Sequence, residues 1–560
     1  MRLRGRRCAV SIVFGLTAPL LAGAGCVGHL DGGGDGTGGG TATESGASTS
    51  AGSVTGPGTA SVGSSTASTT SPGSSTGTVT ASSGATTTGT TAGSASGTTT
   101  GSSTSAGSAT GGTCLPSQTN CDGACVDTDT NPQHCGACGA SCGAPGSWDC
   151  MDGVCVDARM WSGATLVEAE SGDTLLPSVA VSPGGIAFVV WLQKGNGTNY
   201  DVRAARYAGD WGPAETIEAQ SDDTAKPRVA VDPQGNAIAV WGQSSMPKSI
   251  WVNRYSAAAS AWLGAVKLSE NVADGIGAVV AMDPNGNGIV LWLEGGNVQG
   301  RRFAAGIWEN AQTVASGGGP SEVRVGMDAA GNALAVWRAF HNGQPSLWSN
   351  RFVPGPGWDT AQTIENDTNA VWIPDLAVNA DGDGIAVWRV NMNGTLHVWS
   401  NAYTAGQGWG TAALVEMDAM ADAREPRVAM DAAGNAFAVW LQSSNGKQSV
   451  WANRFVAGQG WGTPVLVETD DTYPASEARV GVDAAGNAVA IWVQSDGASD
   501  KVWSNRYRVA DGAWGTAERI ENVAGNAIFP EVAVSDGGVA VAVWQKQNGT
   551  VADVYANVLK

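Results

Sequence analysis

From residue 427 to 469 the chain reads RVAMDAAGNAFAVWLQSSNGKQSVWANRFVAGQGWGTPVLVET, four short runs in which apolar and polar residues alternate, separated by AAGN, SSNG and AGQG. Alternation with period two marks strands with one buried face, and turn residues between such runs join them as hairpins. No helical period appears. The segment predicts a four-stranded antiparallel meander.

The pattern recurs. The tryptophan that closes the second run stands at Trp191, Trp241, Trp292, Trp337, Trp388, Trp440, Trp492 and Trp544, at intervals of 45 to 52 residues. Four-stranded units at such a period cannot bury both faces alone and stack around an axis as propeller blades. The stretch WSGATLVE (161–168) copies the fourth strand WGTPVLVE (461–468) but precedes the first full repeat. The C-terminal VYANVLK (554–560) copies only as far as a third strand. The chain therefore reads as all-β, with an eight-bladed β-propeller of four-stranded antiparallel blades over 157–560, closed by its N-terminal strand. A ring of seven blades with one repeat outside is the alternative.

The string DAAGN (328–332, 431–435, 483–487) falls at the first hairpin of a blade. Asp can accept backbone N–H groups two residues on, and Gly and Asn tolerate positive φ, so the motif reads as a turn. It resembles the DxxGN turns of secreted propeller repeats. One copy, NADGDG (379–384), spaces its acids loosely like a calcium loop.

The N-terminal part has a different composition. Arg2, Arg4, Arg6 and Arg7 precede CAVSIVFGLTAPLLAGAGC, which is short for a membrane span and reads as an export signal over residues 1–25. Ending in Gly23, Ala24, Gly25 and Cys26, it resembles a bacterial lipoprotein signal. That resemblance implies acylation of Cys26 and, with Val27 rather than Asp after it, an outer-membrane, surface-exposed location. Residues 26–113 follow; from Gly32 to Thr113 there is no aromatic residue, Leu or Ile. Such a segment reads as a disordered tether with a mean reach of about 50 Å.

Eight cysteines then fall within 114–156: Cys114, Cys121, Cys125, Cys135, Cys138, Cys142, Cys150 and Cys155. On an exported chain this even, dense set reads as four disulfides of open connectivity, with zinc at Cys135 and Cys138 the competing reading. The stretch CDGACVDTDTNPQHCGACGASC resembles the stigma-specific cysteine-rich family, which implies an extracellular module without known catalysis.

Charge and site chemistry narrow the function. Acidic residues outnumber basic ones 50 to 30, for a net charge of −20, which argues against nucleic acid as a partner. Only 4 histidines are present, too scattered to assemble a nucleophile or zinc site. Two repeated features are candidates for binding. The first is the third-strand motif WxNR, with Trp251 and Arg254, Trp348 and Arg351, Trp451 and Arg454, and Trp503 and Arg506. These residues read as blade packing or as a glycan-binding platform. The motif degrades in other copies, with Ala205, Arg301 and Ala402 at its Asn or Arg places.

The second is a glutamate closing the fourth strand, at Glu168, Glu218, Glu270, Glu365, Glu416, Glu468 and Glu521. It reads as an acidic face open to calcium or a basic partner, or as ion pairs to first-strand arginines Arg228, Arg324, Arg427 and Arg479. The functional expectation is a non-catalytic binding or adhesion protein for an extracellular glycan or protein. A glycoside hydrolase or lyase using carboxylates of that face is the alternative. No cofactor is implied beyond possible calcium, and the oligomeric state stays open.

Overall fold

A computed structural model describes residues 118–560 apart from short stretches, among them 139–147, 196–198, 220–222, 273–276, 366–368 and 418–420. The signal, Cys26, the tether, Cys114 and Cys142 lie outside the described residues. Within the cysteine-rich segment, two hairpins pair Thr119–Cys121 with Ala124–Val126 and Trp148–Met151 with Val154–Asp157. Disulfides join Cys121 to Cys138 and Cys135 to Cys150, and Cys125 is also disulfide-bonded.

The remainder is an all-β ring of eight blades, beginning at residues 174, 224, 278, 321, 371, 423, 475 and 526 and numbered here in that order. Each blade is an antiparallel meander, innermost strand first. In blades 2 to 7 the fourth strand is broken. Its tryptophan end pairs with the end of the third strand, as Trp262 does with Tyr255, and a separate piece, 266–270 in that blade, pairs with the beginning.

The last blade is completed by the N-terminal strand, so the eight-bladed reading holds and the seven-bladed one does not. Thr165–Leu166 pairs with Val551–Leu559, and the Ser162 and Val167 amides donate to the Val558 and Val554 carbonyls at 2.9 and 3.0 Å. Closure satisfies backbone groups that would otherwise form a bare edge.

The apolar residues of the alternating runs meet at the joints between blades. Eight buried clusters each draw on two consecutive blades; the one at closure joins Val167, Val541 and Val554 to Val189 and Trp191. The second-strand tryptophans face the preceding blade and are at most 1% exposed. Each removes about 150–250 Å² from water, so the joints hold the ring without any ligand.

The DAAGN motif forms the hairpin turn between the first two strands. In blade 6 the Asp431 carboxylate accepts from both the backbone N–H and the side-chain amide of Asn435, each at 2.8 Å, and Gly434 adopts φ 81°. Asn435 then accepts from Ala457, tying this turn to the end of the third strand. The NADGDG copy makes the same turn with the two polar residues exchanged: Asn379 accepts from Asp383, and Asp383 accepts from Ala405. Its Asp383 carboxylate thus serves the backbone.

One local feature is not apparent in the alternation. In seven blades the innermost strand carries a bulge at a residue with positive φ, namely Leu176, Lys226, Glu322, Ile373, Glu425, Glu477 and Phe529. Pro follows five of them (Pro177, Pro227, Pro374, Pro426 and Pro530), consistent with its lack of an N–H for the interrupted ladder.

Candidate functional site

The WxNR positions lie at the joints. Trp251, Trp348, Trp451 and Trp503 are half-buried, each against the cluster shared with the preceding blade. The Asn of the motif is buried and reaches back to the previous blade: Asn253 donates to Ile217 O at 2.7 Å, Asn350 to Val314 O at 2.9 Å and Asn505 to Val467 O at 2.7 Å. In blade 3, Arg301 stands in for it, donating to Leu268 O at 3.2 Å.

The Arg reaches forward instead. Arg254 lies over the Phe303 ring at 3.7 Å and Arg454 over Tyr507 at 5.8 Å, while Arg351 sits beside Tyr403. Arg506 donates to Arg159 O at 2.8 Å, holding the segment that leads into the closing strand. Lys560 over Tyr207, at 5.6 Å, extends the belt of cation–aromatic contacts from blade 8 to blade 1. Contacts of this kind contribute about 0.5–2 kcal/mol each.

The described glutamates of the series are buried or half-buried rather than spread over a solvated rim. Glu416, Glu468 and Glu521 are 2–3% exposed. Glu365 and Glu168 accept third-strand backbone N–H groups from Leu347 and Val554 at 3.1 and 3.2 Å. Among the described residues, the ion pairs of the series run to other strands. Glu416 meets His397 at 2.7 Å and Glu521 meets Lys546 at 2.6 Å, whereas the first-strand arginines face the axis. The side chain of Glu270 lies outside the described residues.

Two members face other acids. Burial, reinforced by Asp553, pushes the Glu168 carboxyl up to about 9; burial and Asp201 do the same to Glu218. Burial also raises Glu365 and Glu468, against hydrogen bonds that lower them.

Solvent-facing side chains that no joint uses gather on the face formed by the turns between strands two and three and the connections between blades. Phe340, in the second strand of blade 4 next to its turn, is 53% exposed, with the Arg338 guanidinium 5.9 Å from its ring centroid. In blade 5 Trp372 is half-buried opposite Arg389, whose guanidinium is 5.4 Å from the ring. Tyr473, on the connection from blade 6 to blade 7, is 39% exposed. These residues did not emerge from the repeat. A signal was available: Trp372 occupies none of the three repeated tryptophan positions, and Arg338 and Arg389 follow a second-strand Trp where other copies carry Leu, Gly, Val or Gln.

On the same side, the innermost strands present a tier of charge to the axis. One register position carries Ser178, Arg228, Val279, Arg324, Asp375, Arg427, Arg479 and Glu531 in blades 1 to 8. Arg228 feels Glu531, Arg324 and Arg479 from three other blades, so the tier converges across the axis. Each guanidinium is clamped by the carbonyl of the preceding residue, as Arg228 is by Pro227 at 2.9 Å and Arg427 by Pro426 at 2.8 Å. Arg324 meets Asp375 at 3.3 Å and Arg479 meets Glu531 at 3.4 Å.

No protein-family model matches the chain, and no curated protein matches it. Several solved structures are similar in fold. A protein of unknown function from Dyadobacter fermentans is 11% identical with a TM-score of 0.37, over 72% of this chain and 100% of that one. The α-L-arabinofuranosidase of Fusarium graminearum is 12% identical with a TM-score of 0.36, over 72% and 98%. The polysaccharide lyase Uly1 is 9% identical with a TM-score of 0.45, over 71% and 99%.

Proposed function

We propose that this chain is a surface-displayed, non-catalytic binding lipoprotein. In this reading it is held at the outer membrane through Cys26, raised by the 26–113 tether, and presents the loop face of the propeller to an extracellular glycan or protein. The observation that carries the reading is the placement of Phe340 beside Arg338 and Trp372 beside Arg389 on one face of adjacent blades. Rigid aromatic rings next to guanidinium groups supply large contact area at low ordering cost, and such residues dominate binding energy at interfaces. A ring locked at every joint presents them without paying for loop ordering.

The test is a glycan array probed with the full mature chain, run beside turnover assays on the glycosides that bind. Binding without turnover, lost in Phe340→Ala with Trp372→Ala, supports the reading. Turnover abolished by removing a single carboxylate would replace it with the hydrolase or lyase alternative.

A further inference from the structure

The charges around the axis are unevenly balanced. On the side of blades 4 to 8 the arginines have acids close by: Arg324 meets Asp375 and Arg479 meets Glu531. Arg427 feels both of those acids. Two of the bulge glutamates of these blades serve the backbone, Glu322 accepting from Ile373 at 2.8 Å and Glu477 accepting from Phe529.

Blade 2 differs. Its bulge residue is Lys226 and its tier residue is Arg228, two cations on one strand. At the same register the flanking blades offer Leu176, Ser178 and Val279, none of them charged. Among the described residues neither Lys226 nor Arg228 has a carboxylate within ion-pair distance, although the chain as a whole is acidic by 20 charges. Both side chains are exposed while standing on the innermost strand, which places them in water at the axial channel. The one acid that Arg228 feels is Glu531, already engaged by Arg479. Desolvation at the axis lowers the pKa of both groups, with repulsion from Arg228 adding to it at Lys226 and repulsion from Arg324 and Arg479 adding to it at Arg228. Two cations without an ion-pair partner on one strand, one of them clamped by Pro227 O, focus a positive field.

We propose that the axial channel, at its mouth on the loop face, binds an oxyanion through Lys226 and Arg228. A guanidinium held by Pro227 O keeps further N–H donors for a carboxylate or sulfate, and the ammonium adds a second contact from the same strand. The inference deepens the reading of the propeller as an extracellular binder and rests on it: the ligand class becomes an acidic glycan or other oxyanion-bearing molecule.

The test is calorimetric titration of the full mature chain at fixed ionic strength with sodium sulfate, with trigalacturonate and with a neutral galactose trimer. The expected result is saturable binding of an anionic probe, weakened at least about tenfold in Arg228→Gln and in Lys226→Gln. The neutral trimer should give no heat at this site. Tighter binding of trigalacturonate than of sulfate assigns the site to an acidic glycan, and the reverse assigns it to a free anion. No anionic binding, or equal affinity in both variants, would overturn the proposal. If Arg228→Gln does not fold, Lys226→Gln alone decides it. The two readings fail separately: array binding that persists unchanged in both variants removes the channel site and leaves the loop-face reading standing.

Discussion

Leu166 and Tyr555 are opposed as Cα partners in one sheet, although the first precedes blade 1 and the second lies in the third strand of blade 8, Val551–Leu559. The pairing converts an open row of repeats into a ring. Deleting residues 157–170 removes the outer strand of blade 8, takes Val167 out of the closing joint and uncovers Leu559, where one buried aliphatic side chain contributes about 1.5–3 kcal/mol. The truncated chain should melt at least about 5 °C lower and aggregate through the third-strand edge of blade 8. Unchanged melting by calorimetry would contradict closure.

The Asn of the third strand should behave as a joint residue. In Asn505→Ala, the Val467 and Gly515 carbonyls lose their donor, and an unsatisfied buried group costs about 1–3 kcal/mol. Blade 1 already has Ala205 at this place, buried at the closing joint, so Ala205→Asn should stabilise if the amide reaches the Val167 carbonyl. Chemical denaturation of both variants checks the pair of opposite signs.

Glu168 and Glu218 make stability depend on pH in a defined direction. Both carboxyls are raised to about 9 in the folded chain, from an ordinary value near 4.5, so the folded state holds protons that the unfolded state releases. Their contribution is complete below about pH 4.5 and is lost as pH rises through about 9. Glu168→Gln should therefore melt like the wild type at pH 4 and higher at pH 8. A melting series showing the variant losing stability as steeply as the wild type between those values would contradict the assignment.

The ring was legible because tryptophan and turn residues mark every blade, and because WSGATLVE precedes the first full repeat. The roles of the repeated polar residues were not. Alternation tells which residues leave the sheet on one side, but in a propeller both sides of a blade meet another blade. A glutamate such as Glu468 can therefore follow a strand like a surface residue and still be 3% exposed. The joint roles of Asn505 and Arg454 depend on Val467 and Tyr507, partners set by the stacking of blades. The bulge that aims Lys226 and Arg228 at the axis leaves only an x-Pro step as its trace in the sequence.

In the cysteine-rich segment, a non-reducing peptide map of exported protein should return Cys121 with Cys138 and Cys135 with Cys150. Free thiols at these positions would contradict the framework. Labelled palmitate should enter the wild type and be lost in Cys26→Ser. A wild type that stays unlabelled and fully soluble would remove the anchor from the proposal.

The central claim separates the joints, which hold the ring, from the loop face, which binds. The most direct measurement compares Phe340→Ala with Trp372→Ala against Arg454→Ala with Trp503→Ala, reading melting temperature and glycan-array binding on the same preparations. The account predicts that the first pair melts close to the wild type and loses binding, while the second melts lower and still binds where it is folded. Binding lost in the joint variants at full stability, and kept when Phe340 and Trp372 are removed, would contradict it.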